Sequence, residues 1–167
     1  MPKTIPILIT NRNILVKEKD ENKFVAFNMP GIEDIPNIPF YHQFASKISE
    51  CQYYFKEFML KLYGKKVSKY VFAIIVPDDT TALEHIFLNE FFLHIDTCKA
   101  VAQTTMGQTL SKAHTRYISL SRSNRNIILQ YVNNNEVLAE KQYDTNSFDP
   151  KQIKEDAKRL HIDVEYS

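Results

Sequence analysis

Few side chains in this 167-residue chain have the type and spacing to do chemistry. Asp78 and Asp79 are the strongest pair. They follow an apolar run, at the C-terminal edge of a predicted strand, where ligands gather in open α/β sheets. Adjacent carboxylates there can hold a metal. They can also cap the helix that follows and favour its positive end, which is the simpler reading. His85 and His94 are nine residues apart and His114 falls in another element, so no metal-ligand spacing emerges. His42 and His161, near helix ends, read as solvated or locally bonded. No Ser, His and acid form a recognisable nucleophile motif. Cys51 and Cys98 lie far apart in apolar segments and read as lone buried thiols rather than a disulfide or a nucleophile.

Composition narrows the field further. A formal net charge of +1 supplies no electrostatic reason to expect nucleic acid or an anionic membrane as partner. The aromatics between Phe55 and Tyr63 and between Phe87 and Phe92 read as core rather than as a platform for stacking bases. With 44% hydrophobic and 25% charged residues, the chain has the make-up of a soluble globular protein. No signal peptide is visible at the N-terminus, and no apolar run approaches the ~20 residues that span a bilayer. The expectation is a soluble, cytosol-facing chain, which leaves open that it is a fragment of something anchored.

The elements that must position these residues are organised around Tyr70 to Val76. This unbroken apolar run, closed by Pro77, predicts a strand covered on both faces in the middle of a parallel sheet. Thr81 and Glu84 fit a capping box, and Leu83, Ile86, Phe87, Phe91 and Phe92 predict the apolar face of the helix that follows. Before the strand, Phe44, Ile48, Cys51, Phe55, Phe58 and Leu62 recur at spacings of four and three. They predict a helix ended by Gly64 as its C′ residue. Ile5 to Thr10, Asn13 to Lys17 and Lys23 to Asn28 read as a three-stranded meander, followed by an irregular, proline-punctuated connection to Tyr41. Cys98 to Gln103 reads as a weaker strand and Met106 to His114 as a short helix. Arg116 to Ser121, Asn126 to Val132 and Glu136 to Tyr143 form a second meander, and a charged helix from Lys151 to Leu160 closes the chain behind Asp149 and Pro150.

The order βββαβαβα followed by βββα predicts a duplicated unit whose later copy is cut short, with subdomains at 1–114 and 115–167. Such an order resembles a degenerate actin-like ATPase fold, the ribonuclease H-like superfamily, built on a mixed α/β sheet. The Val76-Pro77-Asp78 junction, the Tyr117-Ile118-Ser119-Leu120-Ser121 strand and the Lys141-Gln142-Tyr143-Asp144 ending are similar to one group within it. That group is the cytoplasmic domains of inner-membrane assembly proteins of type IV pili and type II secretion systems.

The resemblance implies a test of chemistry. Actin-like ATPases hold nucleotide between two hairpin turns that supply a carboxylate near Mg²⁺ and glycines where backbone approaches phosphate. Here the first turn reads Thr10-Asn11-Arg12-Asn13 and the second Ser119-Leu120-Ser121-Arg122-Ser123-Asn124-Arg125, with no Asp or Gly in either. The chain's three glycines, Gly31, Gly64 and Gly107, all fall elsewhere. The superfamily's two-metal nucleases need a carboxylate on the first strand, and that strand has none. The expectation is therefore a non-catalytic scaffold with no cofactor and no metal. By resemblance, its partners are the hexameric assembly ATPase and the polytopic platform protein at the cytoplasmic side of the bacterial inner membrane. Any membrane link would lie beyond Ser167. The alternative is a sensor or enzyme whose remodelled groove binds phosphate through Arg122 and Arg125. Sheet edges are expected at residues 23–28, 98–103 and 136–143. The last is the candidate partner-binding edge, through Glu136, Leu138, Glu140, Gln142 and Tyr143, unless the final helix covers it.

Overall fold

The structure is a computed structural model that describes residues 3–95 and 97–165. The chain divides into two compact units, Met1–Val76 with Thr80–Thr104, and Pro77–Asp79 with Thr105–Ser167, where the sequence divides it at 114/115.

The first unit holds a five-stranded sheet in the order β3-β2-β1-β4-β5. Its strands are β1 (Lys3–Ile9), β2 (Ile14–Lys17), β3 (Phe24–Phe27), β4 (Tyr70–Val76) and β5 (Ala100–Thr105). The first meander is antiparallel, and β4 lies parallel to β1 in a register that pairs Ile5 with Phe72 and Ile7 with Ile74. Register alternation puts Ile5, Ile7, Ile14, Val16, Phe72, Ile74 and Val76 on one face, all buried. Helix α1 (Ile48–Tyr63) and helix α2 (Ala82–Leu93) pack their apolar residues into the same cluster. The other face of β4 is half-buried rather than sealed, so the expected double-sided cover is only partly met.

Both helices are where the pattern places them, with shifted faces. A 3₁₀ turn, Phe40–Lys47, leads into α1. The buried stripe of α1 runs through Cys51, Phe55, Met59 and Tyr63 at intervals of four, while Phe58 and Leu62 flank it half-buried. An α-helix turns 3.6 residues at a time, so a short helix can hold a spacing of four and let its stripe drift to one side. Gly64 closes α1 at φ 66°, a backbone region that a side chain resists, and its N–H returns to Leu60 O. Helix α2 is apolar nearly all round. Leu88, Phe91 and Phe92 are buried, whereas Leu83 and Ile86, expected on the buried face, are exposed.

The second unit holds an antiparallel sheet in the order β6-β7-β8, from β6 (Arg116–Arg122), β7 (Asn126–Asn133) and β8 (Glu136–Asp144). Helix α3 (Pro150–Glu165) starts behind Asp149, whose Oδ1 accepts from Lys151 N at 3.0 Å, and lies across one face. Leu160 packs there with Leu129 and Tyr131, and Ile118, Ala139, Tyr143 and Ala157 complete the cluster. The helix covers a face, and β8 is an outer strand of its sheet. The residues expected to form a helix from Met106 to His114 form a 3₁₀ segment, Gly107–Lys112, on the opposite face.

Candidate functional site

Asp78 and Asp79 do not cap α2. Thr81 does, accepting from Glu84 N at 3.2 Å while Glu84 Oε1 accepts from Thr81 N at 2.9 Å, which completes the predicted capping box. The two carboxylates belong to the second unit, where both are nearly buried and act as hubs. Asp78 Oδ1 accepts from Gly107 N at 2.7 Å and its Oδ2 accepts from Ser121 Oγ, tying the 3₁₀ segment to β6. Asp79 Oδ2 accepts from Ser123 Oγ at 2.5 Å and from Asn126 Nδ2 at 3.1 Å. The Arg125 guanidinium donates through Nη2 to the Asp79 carbonyl at 3.1 Å and sits 3.6 Å from the carboxylate through Nε. Buried carboxylates are stable only when paired or hydrogen-bonded, and each of these has at least two donors.

Gly107 is the tightest point of the network. A Cβ there would stand 2.7 Å from Gln130 Oε1 and from Ser119 Oγ, and 3.0 Å from Asp78 Oδ2. Ser119 and Gln130 are directly opposite in the β6–β7 register, and both are buried. The absence of a side chain at Gly107 lets the backbone rest on three polar oxygens.

The turn after β6 is closed by its own hydroxyl. Ser123 Oγ accepts from Arg125 N and Asn126 N, both at 3.0 Å, and Ser123 N donates to Asn126 O at 2.9 Å. The turn after β1 repeats this geometry. There Thr10 Oγ1 accepts from Arg12 N at 3.1 Å and from Asn13 N at 3.0 Å, and Thr10 N donates to Asn13 O at 3.0 Å. The sequences match too: Thr10-Asn11-Arg12-Asn13 and Ser123-Asn124-Arg125-Asn126 are one hydroxyl followed by the same three residues. This repeat was legible in the sequence, but ending the second turn at Arg125 hides it. In both turns the amides that would face a phosphate are taken by the turn's own hydroxyl. The supports then differ. Arg12 pairs with Asp34 at 3.5 Å in full solvent, whereas Arg125 is bound to the nearly buried Asp79.

The remaining candidates are placed individually. His42, expected to be solvated or locally bonded, pairs with the buried Glu84 across 42 residues, beside a cavity of about 230 Å³ that Leu83 and Phe87 also line. His85 bonds Gln103 Oε1 at 2.5 Å, and His94 pairs with Glu90 on its own helix. Neither cysteine forms a disulfide; Cys98 Sγ donates to Phe92 O at 3.8 Å, and burial pushes the Cys51 thiol up. Among the described residues no cluster of three or more His, Cys, Asp or Glu has the arrangement of a metal site. A groove of about 550 Å³ runs between β3 and α1, lined by Phe27, Tyr54, Phe58 and Lys61.

On β8, Glu136 and Leu138 are exposed, and a register shift against Tyr131 and Val132 leaves Leu138 without an opposite residue. Glu140 accepts from Gln130 Nε2 at 2.8 Å and from Gln142 Nε2 at 2.9 Å. Tyr143 OH donates to Asp156 Oδ2 at 2.6 Å. That bond holds the Asp156 carboxyl below its ordinary range, and burial together with it raises the phenol. Three of the five expected contact residues are thus engaged within the unit.

No protein-family model matches the sequence, and no curated protein matches it. Solved structures do. MreB5 of Spiroplasma citri bound to ADP is 8% identical with a TM-score of 0.55, covering 84% of this chain and 51% of that one. The ethanolamine utilization protein EutJ from Carboxydothermus hydrogenoformans is 9% identical with a TM-score of 0.50, covering 87% and 53%. A protein described as an N-acetylglucosamine kinase, from Porphyromonas gingivalis, is 14% identical with a TM-score of 0.55, covering 83% and 47%. The chain spans about half the length of each of these proteins. Such identities speak for the fold alone, and the fold is a truncated actin-like one on a mixed α/β sheet.

Proposed function

We propose that this chain is a non-catalytic scaffold that works through protein contacts, as a cytoplasmic domain in the inner-membrane assembly platform of a type IV pilus or type II secretion system. One observation carries the non-catalytic part: the groups that would hold a phosphate are already spent. The turn hydroxyls take the turn amides, and Asp79 takes Ser123, Asn126 and Arg125. A carboxylate seated there also repels an incoming phosphate. The pilus part rests on the sequence resemblance, nearest to the bundle-forming pilus assembly protein. Its partners would be the assembly ATPase and the polytopic platform protein. No helix among the described residues is long and apolar enough to cross a membrane.

The alternative, a phosphate sensor using Arg122 and Arg125, requires Arg125 to leave Asp79. Calorimetry with millimolar Mg-ATP and co-precipitation with the assembly ATPase separate the two readings. The scaffold reading expects no saturable heat and recovery of the ATPase. Saturable binding abolished by Arg125→Ala, without recovery of the ATPase, would establish the sensor instead.

A further inference from the structure

The two units repeat a meander of three antiparallel strands, and the comparison identifies an empty place. In the first unit β1 has neighbours on both sides, with β2 antiparallel and β4 parallel through Lys3↔Tyr70 to Leu8↔Ile75. Its counterpart β6 follows the same scheme on one side only. It pairs with β7 from Arg116 to Arg122, and among the described residues no strand pairs with its other side. From Tyr117 to Arg122, then, no strand among the described residues continues the ladder on that side, and such an edge can template another chain.

A second observation falls on the same strand. Leu120 lies opposite Leu129 and on the face covered by α3, where Leu129 is buried, yet Leu120 is 59% exposed. The apolar cover reaches Ile118 on this strand but not Leu120. Both the open edge and the bare leucine mark the position that β4 fills in the first unit.

The β8 edge differs. Its counterpart β3 is also an outer strand of its sheet, so an open edge there is common to both copies. The bulge at Leu138 and the charges of Glu136, Glu140 and Lys141 guard it in the ways idle edges are guarded.

Building on the scaffold reading, we propose that β6 is the docking edge, and that it takes an extended segment of a partner protein as an added parallel strand. Its chemistry follows from the two faces of β6. On the α3 side the segment meets Ile118 and Leu120, so alternate residues are apolar. On the other side it lies beside Tyr117, Ser119 and Ser121, whose hydroxyls already face Gly107 and Asp78, so the residues between are small or polar. Arg122, exposed at the strand's end, selects an acidic residue beside it. A second copy of this chain fits less well, because antiparallel pairing of two β6 strands centred on Ser119 sets Arg116 opposite Arg122 twice.

The test uses the whole chain and a phage-displayed library of extended dodecapeptides. Selected peptides should alternate apolar and polar residues and carry an acid at one end. Leu120→Asp, at an exposed position, should weaken their binding at least tenfold, and Arg122→Glu should weaken it severalfold, in proteins whose circular dichroism is unchanged. Hydrogen exchange should show β6 amides slowed by bound peptide and β8 amides unaffected. Peptides that bind Leu120→Asp as well as the natural chain would overturn the proposal. So would protection confined to β8 or β3, or a dimer whose β6 amides are already protected without peptide. Co-precipitation of the assembly ATPase by the same variants keeps the two claims apart: undiminished recovery by Leu120→Asp removes β6 while the scaffold reading stands.

Discussion

The two units solve the same structural problem by different means. The first buries a broad apolar face. Two helices press on one side of five strands, and Phe55 alone meets Phe27, Phe58, Phe91 and Phe92 with ring centroids 5.2–6.1 Å away. The second has three strands and one helix, and its two faces differ. One face packs Leu129, Tyr131 and Leu160, and on the other the buried Ile128 and Val132 share the space with Asp78, Gly107, Ser119, Ser121 and Gln130. Apolar packing tolerates change as long as volume is kept, whereas a buried polar network fails when one member is removed. The second unit is therefore the one in which small polar residues matter as much as large apolar ones do in the first.

That contrast can be broken by mutation. The largest effect is expected at Phe55→Ala, about 3–5 kcal/mol in urea unfolding, with the half-buried Phe58→Ala costing about half as much. Equal costs would show the α1 stripe to be centred on neither residue. In the second unit Asp79→Ala strands three side-chain donors and should cost about 3 kcal/mol, whereas Asp34→Ala, removing the exposed support of the other turn, should stay within ~0.5. If Asp79→Ala proved as mild as Asp34→Ala, the polar network would not be what holds this unit together.

Gly107→Ala comes next, at about 1–3 kcal/mol, because the new methyl group must displace Ser119, Gln130 or Asp78. Smaller still are the twin turns. Thr10→Ala and Ser123→Ala each leave two amides without their acceptor and should cost ~1–2 kcal/mol, with Thr10→Ser and Ser123→Thr near zero. A marked asymmetry between the two would mean that the shared hydroxyl geometry is incidental and that the Asp79 contact carries the second turn.

The smallest effects separate the units by pH. Tyr63 donates to Lys17 O at 2.5 Å, and burial, then Tyr70, pushes its phenol up to about 12 from an ordinary 10. The neutral phenol is favoured in the folded state. Its contribution is full below pH 10 and is lost as pH rises through about 12. Tyr143 is raised in the same sense, but its acceptor is itself titratable. The lowered Asp156 contributes above the ordinary carboxylate range, and that contribution is lost as pH falls through its depressed value. Urea midpoints taken across pH should show Tyr63→Phe altering only the alkaline limb. Tyr143→Phe should alter the acid limb as well.

The sequence alone determined the elements and their order. A seven-residue apolar run closed by proline, an apolar stripe ended at Gly64 and a Thr81–Glu84 capping box are local signals, set by backbone propensity and by the periods of strand and helix. The parallel β1–β4 pairing and both edges of the large sheet followed from that order. Which face each helix buries needed tertiary structure. On α2 the apolar positions fall on all sides of the helix, so periodicity could not choose between Leu83 and Leu88. The fate of Asp78 and Asp79 needed it too. A carboxylate beside a helix start is a good cap, but one buried near Gly107, Ser121, Ser123 and Asn126 gains more from those donors, and they lie 29 to 47 residues away. No local pattern records a contact over that distance. The open side of β6 was equally hidden, since a strand's sequence does not say how many neighbours it has.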